Sequence, residues 1–239
     1  MSAFYHIWYW TVIFLSVLIH FILGLVCYLT PSPMKNHRRL ARFFIKIIAK
    51  SMQLKVKTHG VENIPKDKAC IFMANHSSLI DILVMIIGTP YHFNFIAKQE
   101  LFWVPFIGLD MVMGGDFLID RSNPRKARKC LKKVEKRLKK GWNMLIFPEG
   151  TRSLDGELLP FKRGAFKLAF DSDAIVIPCY INGSNNIVKK NSLNASPGTV
   201  NIFFEKPIET KSRPNTKDNM IAVLNQTFEK INHLKQLNS

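Results

Sequence analysis

Two side chains capable of acid–base chemistry, His76 and Asp81, lie five residues apart in the segment NHSSLID at 75–81. On an ideal helix this spacing would place them about 140° apart, so they can meet only if His76 lies in a turn before the helix begins. Asp81 would then accept a hydrogen bond from one imidazole nitrogen and leave the other free as a general base. Taken alone the pair is weak evidence, because a histidine beside polar residues is more often a structural capping group.

Two segments place an arginine after an apolar run. One is FPEGTRS, which contains Glu149, Gly150 and Arg152, and the other is GDFLIDR, which ends on Arg121. Glycine lets the backbone approach a ligand closely, and the arginine fork suits phosphate oxygens. The two arginines would form an anion clamp if they reached one pocket from neighbouring strand ends. The alternative for the first segment is a surface turn in which Arg152 pairs with Glu149.

The composition indicates a partner with negative charge. The 239 residues have a formal net charge of +17 and a pI near 9.9, which fits nucleic acid, an anionic membrane surface or a phosphorylated substrate. The four cysteines form no CxxC pair and lack the spacing of a disulfide scaffold, so we interpret them as reduced thiols. No second histidine or cysteine lies at metal-ligand spacing from His76, and the pattern does not resemble a metal site.

The N-terminal region favours a membrane over nucleic acid. Residues 7–29 carry no charge and are numerous enough for a helix to cover the hydrocarbon of a bilayer. Aromatic residues at 8–10 lie at the front of this run and basic residues follow it, which predicts that the rest of the chain is cytoplasmic. A second helix, predicted from near His37, places Phe43 and Ile47 on one face and Arg38, Arg42, Lys46 and Lys50 on the other. We interpret it as lying in the membrane interface, the alternative being an amphipathic helix packed on the domain.

Beyond residue 54, short apolar runs alternate with helical stretches. Helices are predicted at 78–87, where Ser77 or Ser78 would cap the helix, at 123–140 and at 217–234. The predicted strands are 54–58, 69–74, 93–97, 116–120, 143–147, 174–181 and 200–205. This alternation predicts an α/β fold with a largely parallel central sheet flanked by helices and preceded by the membrane-associated two-helix element. The predicted domains are 1–53 for the membrane anchor and 54–239 for the catalytic domain.

Four segments in this order resemble the four motifs of the 1-acyl-sn-glycerol-3-phosphate acyltransferases: NHSSLID at 75–81, FLIDR at 117–121, FPEGTR at 147–152 and VIP at 176–178. The resemblance covers roughly residues 56–207. Four ordered motifs are far more specific than any one of them. The segments 160–166 and 98–108 also look like the family's sequence.

The resemblance implies transfer of an acyl group from acyl-CoA or acyl carrier protein to the sn-2 hydroxyl of lysophosphatidic acid, giving phosphatidic acid. His76 would be the general base and Asp81 its orienting partner, and neither a cofactor nor a metal is expected. The phosphate and glycerol site would comprise Arg121, Glu149, Gly150, Thr151 and Arg152. The expected partners are membrane lipids, lysophosphatidic acid and the acyl donor, without nucleic acid. The expected location is a membrane, with the catalytic domain on its cytoplasmic side, and the inner membrane if the chain is bacterial.

Several alternatives remain open from the sequence. The acceptor could be glycerol-3-phosphate or another lysolipid, or the chain could be a non-catalytic membrane protein that binds anionic lipid. The oxyanion donor could be Lys98 or a backbone N–H near the first motif. Residues 101–113 are apolar and would line an acyl channel or, as we favour, form buried core. The basic run at 125–140 is interpreted as a solvated helix face, or one that contacts anionic lipid or an acidic carrier protein.

Overall fold

In the computed structural model, residues 3–120, 122–189, 192 and 194–238 are described. Seven strands form one sheet in the order β1-β7-β6-β2-β5-β3-β4. The strands are β1 (Leu54–His59), β2 (Cys70–Ala74), β3 (Phe93–Lys98), β4 (Phe117–Ile119), β5 (Asn143–Ile146), β6 (Ile175–Asn182) and β7 (Gly198–Phe204). The β6–β7 pair is antiparallel, whereas the other paired strands run parallel. The predicted largely parallel α/β sheet is confirmed.

Helices cover both faces of this sheet. They are α1 (Ala3–Cys27), α2 (Pro33–Ser51), α3 (Asp81–Gly88), α4 (Ile107–Gly114), α5 (Pro124–Leu138), α6 (Arg163–Ser172), α7 (Ser184–Ile187) and α8 (Lys217–Asn238). A 3₁₀ turn at Gln99–Trp103 precedes α4. α2 ends at Ser51 and β1 begins at Leu54, and the division at residues 53 and 54 into anchor and catalytic domain stays a prediction.

Alternating side chains of the central strands supply two hydrophobic cores. In β2, Phe72 and Ala74 pack with α2, α3 and β7 residues on one face, while Ile71 and Met73 pack with α5, α6 and α8 residues on the other. Because successive strand side chains point to opposite faces, an all-apolar strand is what a sheet covered on both sides requires. β2 thus lies at the centre of the fold, and the segment that follows it begins from a rigid position.

Helix boundaries and exposed surfaces correct three expectations. α2 begins at Pro33 rather than near His37, since proline is tolerated at the first helical position, where its missing N–H costs no intrahelical bond. α3 begins at Asp81, three residues after the predicted start, because the preceding turn forms other hydrogen bonds. The segment at 101–113 is largely exposed rather than buried core, with Trp103 79% exposed.

The cations of α2 do not all face a membrane surface. Arg38 donates to the side chain of Asn94 and to the Gly114 carbonyl, and Arg42 donates to the Thr89 carbonyl. Phe43 is exposed on the same helix as Lys46 and Lys50. The helix is therefore packed on the domain through two of its arginines and presents a mixed apolar and basic outer side.

α1 is the one described helix that is long and apolar enough to cross a membrane. It contacts the rest of the chain near both of its ends. The Tyr5 hydroxyl donates to the Met52 carbonyl, and the Tyr9 hydroxyl accepts from the Ala195 N–H, 3.1 Å away. After the other end, the Tyr28 hydroxyl donates to the Met113 carbonyl. The outer side of α1 is an exposed apolar surface that includes Phe14 and Ile22.

Asp110 joins α1, α2 and α4. Its Oδ1 atom lies 3.2 Å from His20 Nδ1 and 2.9 Å from His37 Nε2, and both imidazoles are buried. Burial acts to raise the pKa of Asp110, but the hydrogen bonds from His20 and His37 outweigh it and lower the pKa below its usual value. The contribution of this interaction to the free energy of unfolding is therefore fully present above the ordinary carboxyl pKa. It is lost as the pH falls through the lowered pKa of Asp110.

Replacing Asp110 by alanine removes the acceptor of two buried imidazole N–H groups. We expect Asp110→Ala to lower the free energy of unfolding of the full chain in neutral detergent by about 2–4 kcal/mol, because a buried unsatisfied donor costs roughly 1–3 kcal/mol. Chemical denaturation measures this loss. Asp67→Ala, at an exposed position, is the matched control, and equal losses in the two variants would contradict the assignment.

Candidate active site

The candidate site lies where β2, β5 and β6 end side by side. β2 pairs with β5 on one side, with Met73 opposite Ile146, and with β6 on the other, with Ala74 opposite Cys179. These strands are parallel, so the segments beyond their carboxyl ends meet at one edge of the sheet. The His76 turn follows β2, and Glu149 follows β5.

His76 and Asp81 form a hydrogen-bonded pair in the geometry predicted from their spacing. His76 Nδ1 lies 2.7 Å from Asp81 Oδ2. The same oxygen accepts the backbone N–H groups of Ser77 at 2.8 Å and Ser78 at 2.9 Å. Asp81 is fully buried, whereas the His76 side chain is 19% exposed. Because Asp81 is an acceptor here, Nδ1 carries a proton, and in the neutral imidazole the free lone pair is then on Nε2.

Three residues of the segment that follows β5 hold His76 in position. The Phe147 ring stacks on the imidazole with 4.0 Å between ring centroids and 12° between planes. Glu149 Oε1 accepts the His76 backbone N–H at 3.0 Å, and the His76 carbonyl accepts the Ser153 N–H at 2.7 Å. The FPEGTRS segment therefore holds both the ring and the backbone of the predicted base. The sequence identified the segment but not this supporting role.

Polar side chains around His76 also anchor the turn to β6 and α7. Asn75 Nδ2 donates to the Ile181 carbonyl at 3.0 Å, and its Oδ1 accepts the Ile181 N–H at 2.7 Å. The Ser77 and Ser184 hydroxyls lie 3.1 Å apart, and Ser78 Oγ donates to the Val188 carbonyl. Neither serine hydroxyl is the helix cap that we predicted. A polar residue directly after an all-apolar strand was the only sequence signal for Asn75.

Glu149 is a buried acid with an altered affinity for protons. Only 2% of the residue is exposed. Burial raises its pKa to about 7, opposed by the backbone N–H groups of His76 and Leu159 and assisted by the nearby Asp81 carboxylate. The burial of Glu149 and its hydrogen bond to the His76 backbone indicate that it positions His76. They support this role at least as directly as the predicted contact with substrate.

The residues predicted to bind the phosphate and glycerol of the acceptor differ in their positions and exposure. Gly150 has a φ of +72°, and a Cβ there would lie 2.6 Å from Lys162 Nζ, so the turn brings a cation against the glycine. Thr151 is exposed and Arg152 is half-buried beside it. Arg121 lies outside the described residues. β3 lies between β4 and β5, so the expectation that Arg121 and Arg152 follow neighbouring strands is wrong.

The candidate oxyanion donors can be narrowed by geometry. The backbone N–H groups of Ser77 and Ser78 point at Asp81, which excludes them as donors to a substrate in this arrangement. Lys98 ends β3; its side chain is 60% exposed, and its Nζ atom lies 2.9 Å from Glu100 Oε1. Lys98 stays a prediction. Among the described residues, the one cluster with metal-ligand spacing is His20, His37 and Asp110, which contains neither His76 nor Asp81.

A sequence profile of the family described as Acyltransferase matches residues 55–182, more than half of the chain. The chain belongs to this acyltransferase family. The matched residues contain the His76 turn and the FPEGTRS segment, so the hydrogen-bonded pair and its support lie within the family's shared domain.

This acyltransferase is similar to curated proteins that are each named 1-acyl-sn-glycerol-3-phosphate acyltransferase. It is 36% identical to the chloroplastic protein of Brassica napus, over 72% of this chain and 52% of that one. It is 36% identical to the Saccharomyces cerevisiae protein over 74% and 59%, and 30% identical to the Borreliella burgdorferi protein over 82% and 79%. The chain spans about half the length of the plant relatives.

A solved structure shows the same fold. The crystal structure of PlsC, the 1-acyl-sn-glycerophosphate (LPA) acyltransferase of Thermotoga maritima, superposes with a TM-score of 0.81 and 24% sequence identity. The superposition covers 97% of this acyltransferase and 95% of the Thermotoga chain. The two N-terminal helices therefore belong to the shared architecture together with the sheet.

Replacing Glu149 by glutamine tests the environment of its carboxyl group. Between pH 4.5, the ordinary value, and about 7, the folded state retains a proton that the unfolded state has lost. The free energy of unfolding therefore falls as the pH rises through this window. Glutamine cannot ionise, and its carbonyl oxygen can still accept the His76 N–H. We expect Glu149→Gln to flatten this fall and to be more stable than the parent above pH 7 by roughly 1–3 kcal/mol.

Denaturation of the full chain at a series of pH values measures the effect. Glu62→Gln, at an exposed position, should leave the pH dependence of the parent unchanged. A Glu149→Gln curve parallel to that of the parent would show that Glu149 does not hold a proton in the folded state.

Proposed function

We propose that this acyltransferase transfers a fatty acyl group from a thioester, acyl-CoA or acyl carrier protein, to the sn-2 hydroxyl of lysophosphatidic acid, forming phosphatidic acid. The observation that carries the proposal is the 2.7 Å contact between His76 Nδ1 and buried Asp81, which leaves Nε2 available at the sheet edge. The names of the relatives support the choice of acceptor.

In the proposed reaction, His76 Nε2 removes the proton of the acceptor hydroxyl as its oxygen attacks the thioester carbonyl. The tetrahedral intermediate then collapses, the carbon–sulfur bond breaks, and the thiolate takes a proton from the imidazolium. Asp81 stabilises the imidazolium and keeps the proton on Nδ1 throughout. A thioester is already activated, so positioning of the two substrates supplies much of the remaining acceleration. The proposal requires neither cofactor nor metal.

The acceptor phosphate would bind at the end of β5. Arg152 and Lys162 would provide the positive charge, and the absence of a side chain at Gly150, with its φ of +72°, makes room for the Lys162 ammonium group. Thr151 adds an exposed hydroxyl, and Arg121 completes the proposed set. Glu149 would act through the His76 backbone, and a contact with the lipid glycerol remains part of the proposal.

An apolar cavity suits the acyl chain. It has a volume of about 370 Å³ and lies between α2, α3, β3 and α4. One of its lining residues, Leu79, belongs to the NHSSLID segment, and the cavity continues along Leu83 and Ile86 of α3. Leu101 and Ile107 line it as well, which supports a role in acyl binding for part of the segment at 101–113.

The proposed location is a membrane, with the catalytic domain at its cytoplasmic face, and the inner membrane in a bacterium. The exposed apolar side of α1 supports membrane association. A helix of 25 residues is about 37 Å long, and contacts with the same domain near both ends favour a helix that lies in one leaflet over one that crosses the bilayer.

Replacing the proposed base tests the reaction. We expect His76→Ala to reduce transfer of a radiolabelled acyl group from acyl-CoA or acyl carrier protein to lysophosphatidic acid by at least about a hundredfold, because general base catalysis contributes roughly 10²–10⁴-fold. Protein abundance in the membrane should not change. His59→Ala, at an exposed histidine, should retain parental activity.

An acceptor panel distinguishes the alternatives in the same assay. Glycerol-3-phosphate and other lysolipids should react much less than lysophosphatidic acid. Retained activity in His76→Ala would refute the base assignment. Thioester consumption at background with every acceptor would instead support a non-catalytic anionic-lipid-binding protein.

A further inference from the structure

A second surface groove runs beside α5 and adjoins the cavity proposed for the acyl chain, with Asp116 lining both. Its volume is about 380 Å³, and its floor includes Phe117 and Leu118 of β4, the edge strand of the sheet. Four cations of α5 line its wall: Lys126, Lys129, Lys133 and Arg137. The spacing of three or four residues places these cations on one face of the helix.

The positive charge of the groove is largely uncompensated. Among the described residues, Lys129 and Lys133 have no carboxylate within ion-pair distance, and Lys126 lies 3.6 Å from Asp120. The one acidic residue of the lining, Asp116, points inward, where its Oδ1 accepts from Asn94 Nδ2 and from the Phe95 N–H. Burial raises the pKa of Asp116 to about 7, which weakens its ability to neutralise the wall. The groove therefore favours an anionic ligand.

The position of the groove indicates where that anion comes from. Val112 of α4 lines the groove and is 46% exposed, and Ile107 and Leu109 of the same helix are exposed as well. α4 packs on α1, where Phe21 contacts Phe106. α4 thus contributes an exposed apolar side chain to the rim of the groove and packs on α1, whose outer side is apolar.

The far end of the groove also leads toward the membrane-associated helices. Arg137 lies 4.5 Å from the centre of the Trp142 ring, and Arg38 of α2 lies 4.4 Å from the same ring. Arg137 also contacts Met34, in the first turn of α2. The basic wall of the groove thus extends to the start of α2.

We propose that this groove binds the phosphate headgroup of an anionic phospholipid of the surrounding membrane, with acyl chains directed past Val112 toward α1. A cationic wall beside apolar surface matches the two chemistries that such a lipid presents at the interface. An acidic protein partner would match the wall but not the exposed apolar rim. The inference rests on the proposed placement of α1 in a membrane and goes beyond the proposed reaction.

The test compares two charge-matched double variants of the full chain. K129Q/K133Q removes two groove cations, whereas K132Q/K136Q removes two exposed cations that have the same spacing, lie about 60° round the helix and do not line the groove. Partitioning of each purified protein from neutral detergent is measured into vesicles of phosphatidylcholine with or without phosphatidylglycerol. The readout is the partition coefficient with phosphatidylglycerol divided by the partition coefficient without it.

We expect K129Q/K133Q to lower this ratio about tenfold or more, because each basic residue near an anionic surface contributes a several-fold factor. K132Q/K136Q should lower it much less. Equal losses in the two variants would overturn the proposal in favour of diffuse attraction between charged surfaces, and an unchanged ratio in K129Q/K133Q would overturn it as well.

Two further readouts keep the proposals distinguishable. Binding to vesicles of pure phosphatidylcholine measures whether the membrane anchor and the fold are intact. If K129Q/K133Q binds these vesicles less than the parent does, the partition ratios of the single variants K133Q and K132Q are compared instead. Acyl transfer to lysophosphatidic acid in neutral detergent reports the reaction, and parental activity is expected. Selective loss of transfer from acyl carrier protein, with an unchanged lipid ratio, would assign the groove to that acidic partner and overturn lipid binding.

Discussion

The site depends on one buried carboxylate. Asp81 Oδ2 accepts three N–H groups, from the His76 ring and from the backbone of Ser77 and Ser78. These bonds bend the chain between β2 and α3, so that His76 leaves the helix and faces the sheet edge. They also determine which imidazole nitrogen carries the proton. One carboxylate at the first helical position thus shapes the turn and orients the imidazole that we propose as the base.

The sheet makes this turn rigid. β2 lies between β5 and β6, and residues at or just beyond the end of each neighbour contact the turn: Phe147 and Glu149 on one side and Ile181 and Ser184 on the other. Backbone donors offset part of the cost of burying Glu149 and Asp81, and for Glu149 the remaining cost is seen in its raised pKa. Motifs far apart in sequence therefore act as one support around His76.

All seven strands were predicted from the sequence, because short apolar runs bounded by turn residues rarely form anything other than strands. It also predicted the His76–Asp81 pair, since the spacing allowed only one geometry. It did not predict the bonds made by Asn75, the stacking of Phe147 or the inward use of Arg38 and Arg42, which depend on tertiary neighbours. Apolar composition at 101–113 could not distinguish buried core from exposed surface.

The central claim is that Asp81 keeps the proton of neutral His76 on Nδ1 and leaves Nε2 as the base. Nitrogen-15 NMR of histidine-labelled full chain in micelles measures this tautomer, with the His76 signals assigned by their loss in His76→Ala. The account predicts a protonated Nδ1 and an unprotonated Nε2 above the imidazole pKa, and loss of that preference in Asp81→Ala. A proton on Nε2, or a spectrum unaffected by Asp81→Ala, would contradict the account.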